Sequence, residues 1–77
     1  MNRMFGMMPS SEVEIEKIFI DKYNLRITIQ AGPHGWTIIY ADNSTKYNDC
    51  NASSEENFET AKKIAIDDLG ELTEEVW

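Results

Sequence analysis

The chain has 77 residues, with 14 acidic side chains against 7 basic ones and a formal net charge of −7. A chain this short withdraws only about 60% of its unfolded surface from water. That leaves room for one small core and excludes a multidomain machine or a walled-off catalytic cleft. An apolar fraction of 42%, including three Phe, three Tyr and two Trp, is too rich for a disordered polyanion and predicts one compact domain.

Residues 1–10 read as a flexible leader ahead of a single α+β domain over 11–77. The apolar patch Met4, Phe5, Met7 and Met8 is broken by Gly6 and followed by Pro9. It is too short for a signal h-region and is expected to fray or to anchor in a partner groove. The next segment is ambiguous. Val13 and Ile15 alternate with Glu12, Glu14 and Glu16, whereas Ile18 and Ile20 fall in the opposite phase. A strand with a bulge near Lys17 would reconcile them, pairing Ile20 with Leu25, Ile18 with Ile27, Ile15 with Ile29 and Val13 with Ala31. The rival is a helix opened by Ser11 and Glu14 with Ile15, Ile18, Phe19 and Tyr23 on one stripe. The β-branched content favours the strand.

Asp21-Lys22-Tyr23-Asn24 reads as a turn into the clearest element, the period-two run Leu25 to Ala31. Gly32-Pro33-His34-Gly35 is a second turn, and Trp36 to Ala41 the returning strand. Placing Ala31 opposite Trp36 also sets Ile29 opposite Ile38 and Ile27 opposite Tyr40, so the apolar phases coincide. After Asp42-Asn43-Ser44, Thr45 to Asn48 forms a weak fourth strand that would set Tyr47 opposite Tyr40. Ser53 as N-cap with Glu56 three residues on opens a helix carrying Phe58, Ala61, Ala65 and Leu69 on one stripe, closed by Gly70. Glu71 to Trp77 then reads as an acidic tail or a further helical turn. The expected architecture is a three- or four-stranded antiparallel meander with one C-terminal helix on one face. The other face would be left polar, with Glu14, Glu16, Arg26, Thr28, Gln30, Thr37 and Ile39.

The chemistry-bearing residues are sparse. With one cysteine, Cys50, no intramolecular disulfide can form, which favours a reducing, cytoplasmic setting. His34 in its turn and Cys50, distant in sequence, supply neither a nucleophilic triad nor the four ligands of a zinc site. Cys50 is expected to pack near the sheet edge, with no cationic neighbour to activate it. Asp42-x-Ser44 lacks the ligands of a calcium loop, and the Gly-Pro-His-Gly turn lacks the lysine of a phosphate loop. The matches to the glycosylation sequon at Asn43 and Asn51 read as turn and cap residues. No cofactor, metal or catalytic residue is predicted. Trp36, Tyr40 and Tyr47 suggest a base-stacking platform, but the charge has the wrong sign for one and they are better read as core.

The charge is segregated. Residues 1–41 balance four acids with four bases, whereas residues 42–77 hold ten acids and three lysines. Direct nucleic-acid or membrane binding is therefore disfavoured. Five carboxylates, Asp67, Asp68, Glu71, Glu74 and Glu75, fall between Asp67 and Trp77 with no Lys or Arg among them. Such a segment can steer onto a basic protein surface, with Trp77 or Leu72 as a buried anchor. Carboxylates can also occupy a groove built for phosphates. That general character resembles small phage inhibitors of host nucleic-acid enzymes, anti-CRISPR proteins among them; the likeness is one of type and carries no family motif. The alternative expectation is a structural or regulatory subunit that homodimerises through its open sheet face or an edge strand. A small-ligand site around Trp36, Tyr40 and His34 is the third.

Overall fold

A computed structural model describes residues 13–75; the expected leader and Trp77 lie outside them. The order is β1 (Ile15–Asp21), β2 (Arg26–Gly32), β3 (Gly35–Ile39), β4 (Thr45–Asp49), α1 (Ser54–Leu69) and β5 (Leu72–Glu74). The fold is α+β, and its antiparallel sheet has five strands rather than three or four, in the order β4-β3-β2-β1-β5. The first four strands form the meander. The chain then crosses one face as α1 and returns antiparallel to β1 on the far edge. Sixteen helical residues span about 24 Å, enough to cover four inter-strand gaps of about 4.8 Å each.

The central hairpin has the register its apolar phases require, with Ala31 opposite Trp36 and Ile29 opposite Ile38. Its turn needs a glycine on the return strand. Gly35 has φ +152°, and a Cβ there would lie 2.3 Å from the carbonyl oxygen of Asn48 on the adjoining strand.

Residues 15–21 form a strand and not a helix, but without the bulge. Lys17 stands opposite Ile29, Ile18 opposite Thr28 and Phe19 opposite Ile27 in an unbroken ladder. The helix-facing phase is thus Ile15, Lys17, Phe19 and Asp21, while Ile18 and Ile20 face the other way. Two polar residues occupy the helix-facing phase, each with partners there. The Lys17 ammonium lies 5.7 Å from the Phe58 ring centroid and 3.6 Å from Glu74 Oε2. Asp21 Oδ1 accepts hydrogen bonds from the backbone N–H groups of Tyr23 (2.8 Å) and Leu25 (2.9 Å).

Thr45–Asp49 is a strand, but Tyr47 pairs with Thr37 and not with Tyr40, whose N–H instead bonds the Ser44 carbonyl at 2.8 Å. Tyr40 faces the helix, and Tyr47 lies on the open face, 52% exposed. α1 opens with the expected capping box between Ser53 and Glu56 and closes on Gly70, whose N–H donates to Ile66. Residues 72–74, expected as tail or helix, form β5 and pair with Asp21, Ile20 and Phe19.

The core lies between α1 and the sheet: Phe19, Ile27, Ile29, Ala31, Trp36, Ile38, Phe58, Ala61 and Ala65. Phe19 and Phe58 pack with ring centroids 6.1 Å apart, and the Lys62 ammonium lies 5.7 Å from the Phe19 centroid. Asn57 donates from the helix to the Gly32 and Cys50 carbonyls, and the Ser54 hydroxyl donates to Glu14, which turns that side chain toward the helix. No helix among the described residues is long and apolar enough to cross a membrane.

Candidate functional site

The five carboxylates read from the sequence as one acidic segment are dispersed by the fold. Asp67 and Glu71 are exposed and form no ion pair among the described residues. Asp68, on the last turn of α1, accepts from the Tyr40 hydroxyl and from the Lys46 ammonium, each at 2.6 Å. Glu74 turns to the helix side toward Lys17. Glu75 goes to the opposite face, where its two oxygens receive the Arg26 guanidinium at 2.9 Å each. Three of the five carboxylates are therefore tied to cations of the sheet. The formation of β5, which the sequence did not announce, is what turns Glu74 and Glu75 to opposite faces.

These contacts set the local electrostatics. The Lys46 ammonium, and then the Tyr40 hydroxyl, hold the Asp68 carboxyl below its ordinary range. Partial burial, followed by the hydrogen bond to Asp68, pushes the Tyr40 phenol up. The hydroxyl and backbone N–H of Ser44 both donate to Asp42 Oδ1 and lower the Asp42 carboxyl. Glu59 and Lys63 stand four residues apart on α1, a spacing that can pair them, but they are not among the ion pairs of the described residues.

Beside Asp68 the structure opens a cleft of about 400 Å³. Leu25, Ile27, Tyr40 and Leu69 give it apolar walls, and Asp21, Asp42 and Ser44 contribute its polar groups. Asp21 comes from the end of β1, Leu25 from the following turn, Tyr40 to Ser44 from the β3–β4 connection and Leu69 from the end of α1. No sequence window contains the site, and of the expected aromatics only Tyr40 belongs to it. Trp36 is a core residue, 4% exposed, and His34 is exposed on the far turn.

His34 and Cys50 are closer than their spacing suggests. The Cys50 N–H donates to the His34 carbonyl at 2.8 Å, and His34 Nδ1 lies 3.2 Å from Asn51 Oδ1. Cys50 follows the edge strand β4 as expected, but its side chain is exposed rather than packed. No sulfur–imidazole hydrogen bond links the pair among the described residues, so the thiol has no base positioned to activate it. Within the same residues, no group of three or more His, Cys, Asp or Glu is placed to hold a metal ion.

The open sheet face differs from the polar surface expected. The register aligns Ile18, Thr28, Ile39 and Thr45 in one row and Glu16, Gln30, Thr37 and Tyr47 in the next, with Ile20 beside Arg26. Three isoleucines are present where one was expected. Thr37 is wholly buried, and its hydroxyl has no hydrogen-bond partner among the described residues. No protein family, curated protein or solved structure matches this chain.

Proposed function

We propose that the chain is a non-catalytic protein-binding module whose surplus carboxylates engage a basic surface of the kind a nucleic-acid enzyme presents to phosphates, in the manner of a phage-type inhibitor. One observation carries this reading. Among the described residues, Asp67 and Glu71 remain exposed without a cation after Lys17, Arg26 and Lys46 have been taken up by Glu74, Glu75 and Asp68. Exposed carboxylates of this kind steer association with a basic partner and make it salt-dependent. The paired carboxylates have a structural role, so the informative variant is Asp67→Ser with Glu71→Ser, not removal of all five.

The test is to immobilise the chain, pass a bacterial lysate over it and elute with salt. A nucleic-acid enzyme is expected to elute at moderate salt, to be displaced by DNA, and to be retained less by the double variant. Retention that ignores salt, or that the double variant leaves unchanged, rejects the reading.

A second reading, homodimerisation, is favoured by the open face and by the edge strand β4. The Tyr40–Ser44 and Cys50–His34 backbone bonds place residues 44, 46, 48 and 50 against β3. The N–H and C=O groups of Thr45, Tyr47 and Asp49 therefore point outward along an edge that no strand among the described residues covers. This reading expects a salt-insensitive mass near twice 8.9 kDa, halved by Ile39→Lys.

A further inference from the structure

The cleft beside Asp68 contains a carboxylate with unused capacity. Asp21 is 6% exposed, and both hydrogen bonds it accepts, from Tyr23 and Leu25, go to Oδ1. Oδ2 has no partner among the described residues, and Asp21 lines the cleft. Oδ2 keeps contact with solvent through the cleft, since Thr37 Oγ1 is the one fully buried side-chain nitrogen or oxygen left unpaired among the described residues. An entering cation can therefore reach it beside apolar walls, where a charge pair gains more than at an open surface. Asp42 lines the same cleft, and its Oδ1 likewise takes both of its bonds, from Ser44. Leu25 and Leu69 offer apolar surface to a stem, and Tyr40 lines the same wall with its hydroxyl on Asp68 and the Lys46 ammonium 6.0 Å from its ring centroid. The nearby Lys46 ammonium is already held by Asp68 at 2.6 Å and does not line the cleft.

We infer that the cleft is a socket for an arginine side chain of the partner, with the guanidinium on Asp21 and Asp42 and the methylene stem against Leu25 and Leu69. A planar guanidinium can meet two carboxylates at once, whereas an ammonium is a compact point charge. The inference rests on the reading that the partner surface is basic, and adds to it a defined point of insertion.

The test titrates the isotope-labelled full chain with Nα-acetyl-arginine methylamide and follows backbone amide shifts. The neutral isostere Nα-acetyl-citrulline methylamide serves as control. Saturable shifts are expected at Leu25, at residues 40–44 and at Leu69, with the citrulline compound binding at least tenfold more weakly. Asp21→Asn keeps the Oδ1 acceptor for Tyr23 and Leu25 while removing the charge, and is expected to weaken arginine binding at least tenfold. Shifts that do not saturate, or a smaller separation in either comparison, overturn the socket. The citrulline comparison uses the native chain and so stands even if Asp21→Asn does not fold. Because no partner enters the titration, a negative result here with salt-dependent capture intact removes the socket alone. Saturable arginine binding without capture removes the basic-partner reading instead.

Discussion

Thr37 has the surroundings of a core residue on a face with no covering layer among the described residues. It sits between Gln30 and Tyr47 in the cross-strand row, wholly buried, with its hydroxyl unpaired. A buried hydroxyl without a partner costs about 1–3 kcal/mol, while valine has the same shape and suits a strand. Thr37→Val is therefore expected to raise stability by about 1 kcal/mol in urea unfolding. A loss of stability would show that the hydroxyl has a partner in solution. Single residues also explain where sequence reading succeeds. Gly35 was legible as a turn glycine, but the close approach of the Asn48 carbonyl depends on a strand 13 residues further on. Lys17 and Asp21 obscured the phase of β1: Lys17 keeps its head in water, its side chain 45% exposed, and Asp21 takes backbone N–H groups in place of water.

At the level of elements, α1 and the central hairpin were legible because each has redundant local signals. The capping box, apolar stripe and terminal glycine agree for α1, and the two strand phases agree across the Pro33-His34 turn. β1 was legible in type but not in phase, because Ile18 and Ile20 put β-branched residues on its outer face as well. β5 was not legible: three residues, one of them Glu74, are too few to show a period, and its partner lies at the other end of the sequence. The end of α1 is tied to the sheet by Asp68, whose carboxyl is lowered first by Lys46 and then by Tyr40. A folded carboxyl below its unfolded value contributes stability above the ordinary carboxylate range. That contribution is lost as pH falls through the depressed folded value. Carboxyl-detected titration should accordingly place the Asp68 midpoint below those of exposed aspartates, and Lys46→Met should move it upward. An Asp68 midpoint that Lys46→Met leaves unchanged would show that the pair is not formed in solution.

The whole molecule is held closed by contacts between distant parts of the sequence. Its candidate cleft was illegible for this reason: Asp21, Tyr40 and Leu69 carry no common motif and meet only when the helix has crossed the sheet. The acidic segment was legible as charge, but its division into paired and free members depended on β5. That strand also has a temporal consequence. Phe19 and Glu74 are paired across 55 residues, so forming β5 requires closure of nearly the entire described chain. The local meander and α1 can assemble first, leaving the outward groups of Ile18 and Ile20 unsatisfied until residues 72–75 arrive. Leu72 is half-buried against the core, and Leu72→Ala is expected to cost about 1–2 kcal/mol. In stopped-flow unfolding and refolding, most of that loss should appear as an unfolding rate roughly 5–30-fold faster, with refolding changed by less than about twofold. Refolding slowed in proportion would place β5 in the nucleus. On a ribosome, the late arrival of β5 leaves a four-stranded intermediate with a bare edge at β1, and the interval before closure is when aggregation competes with folding.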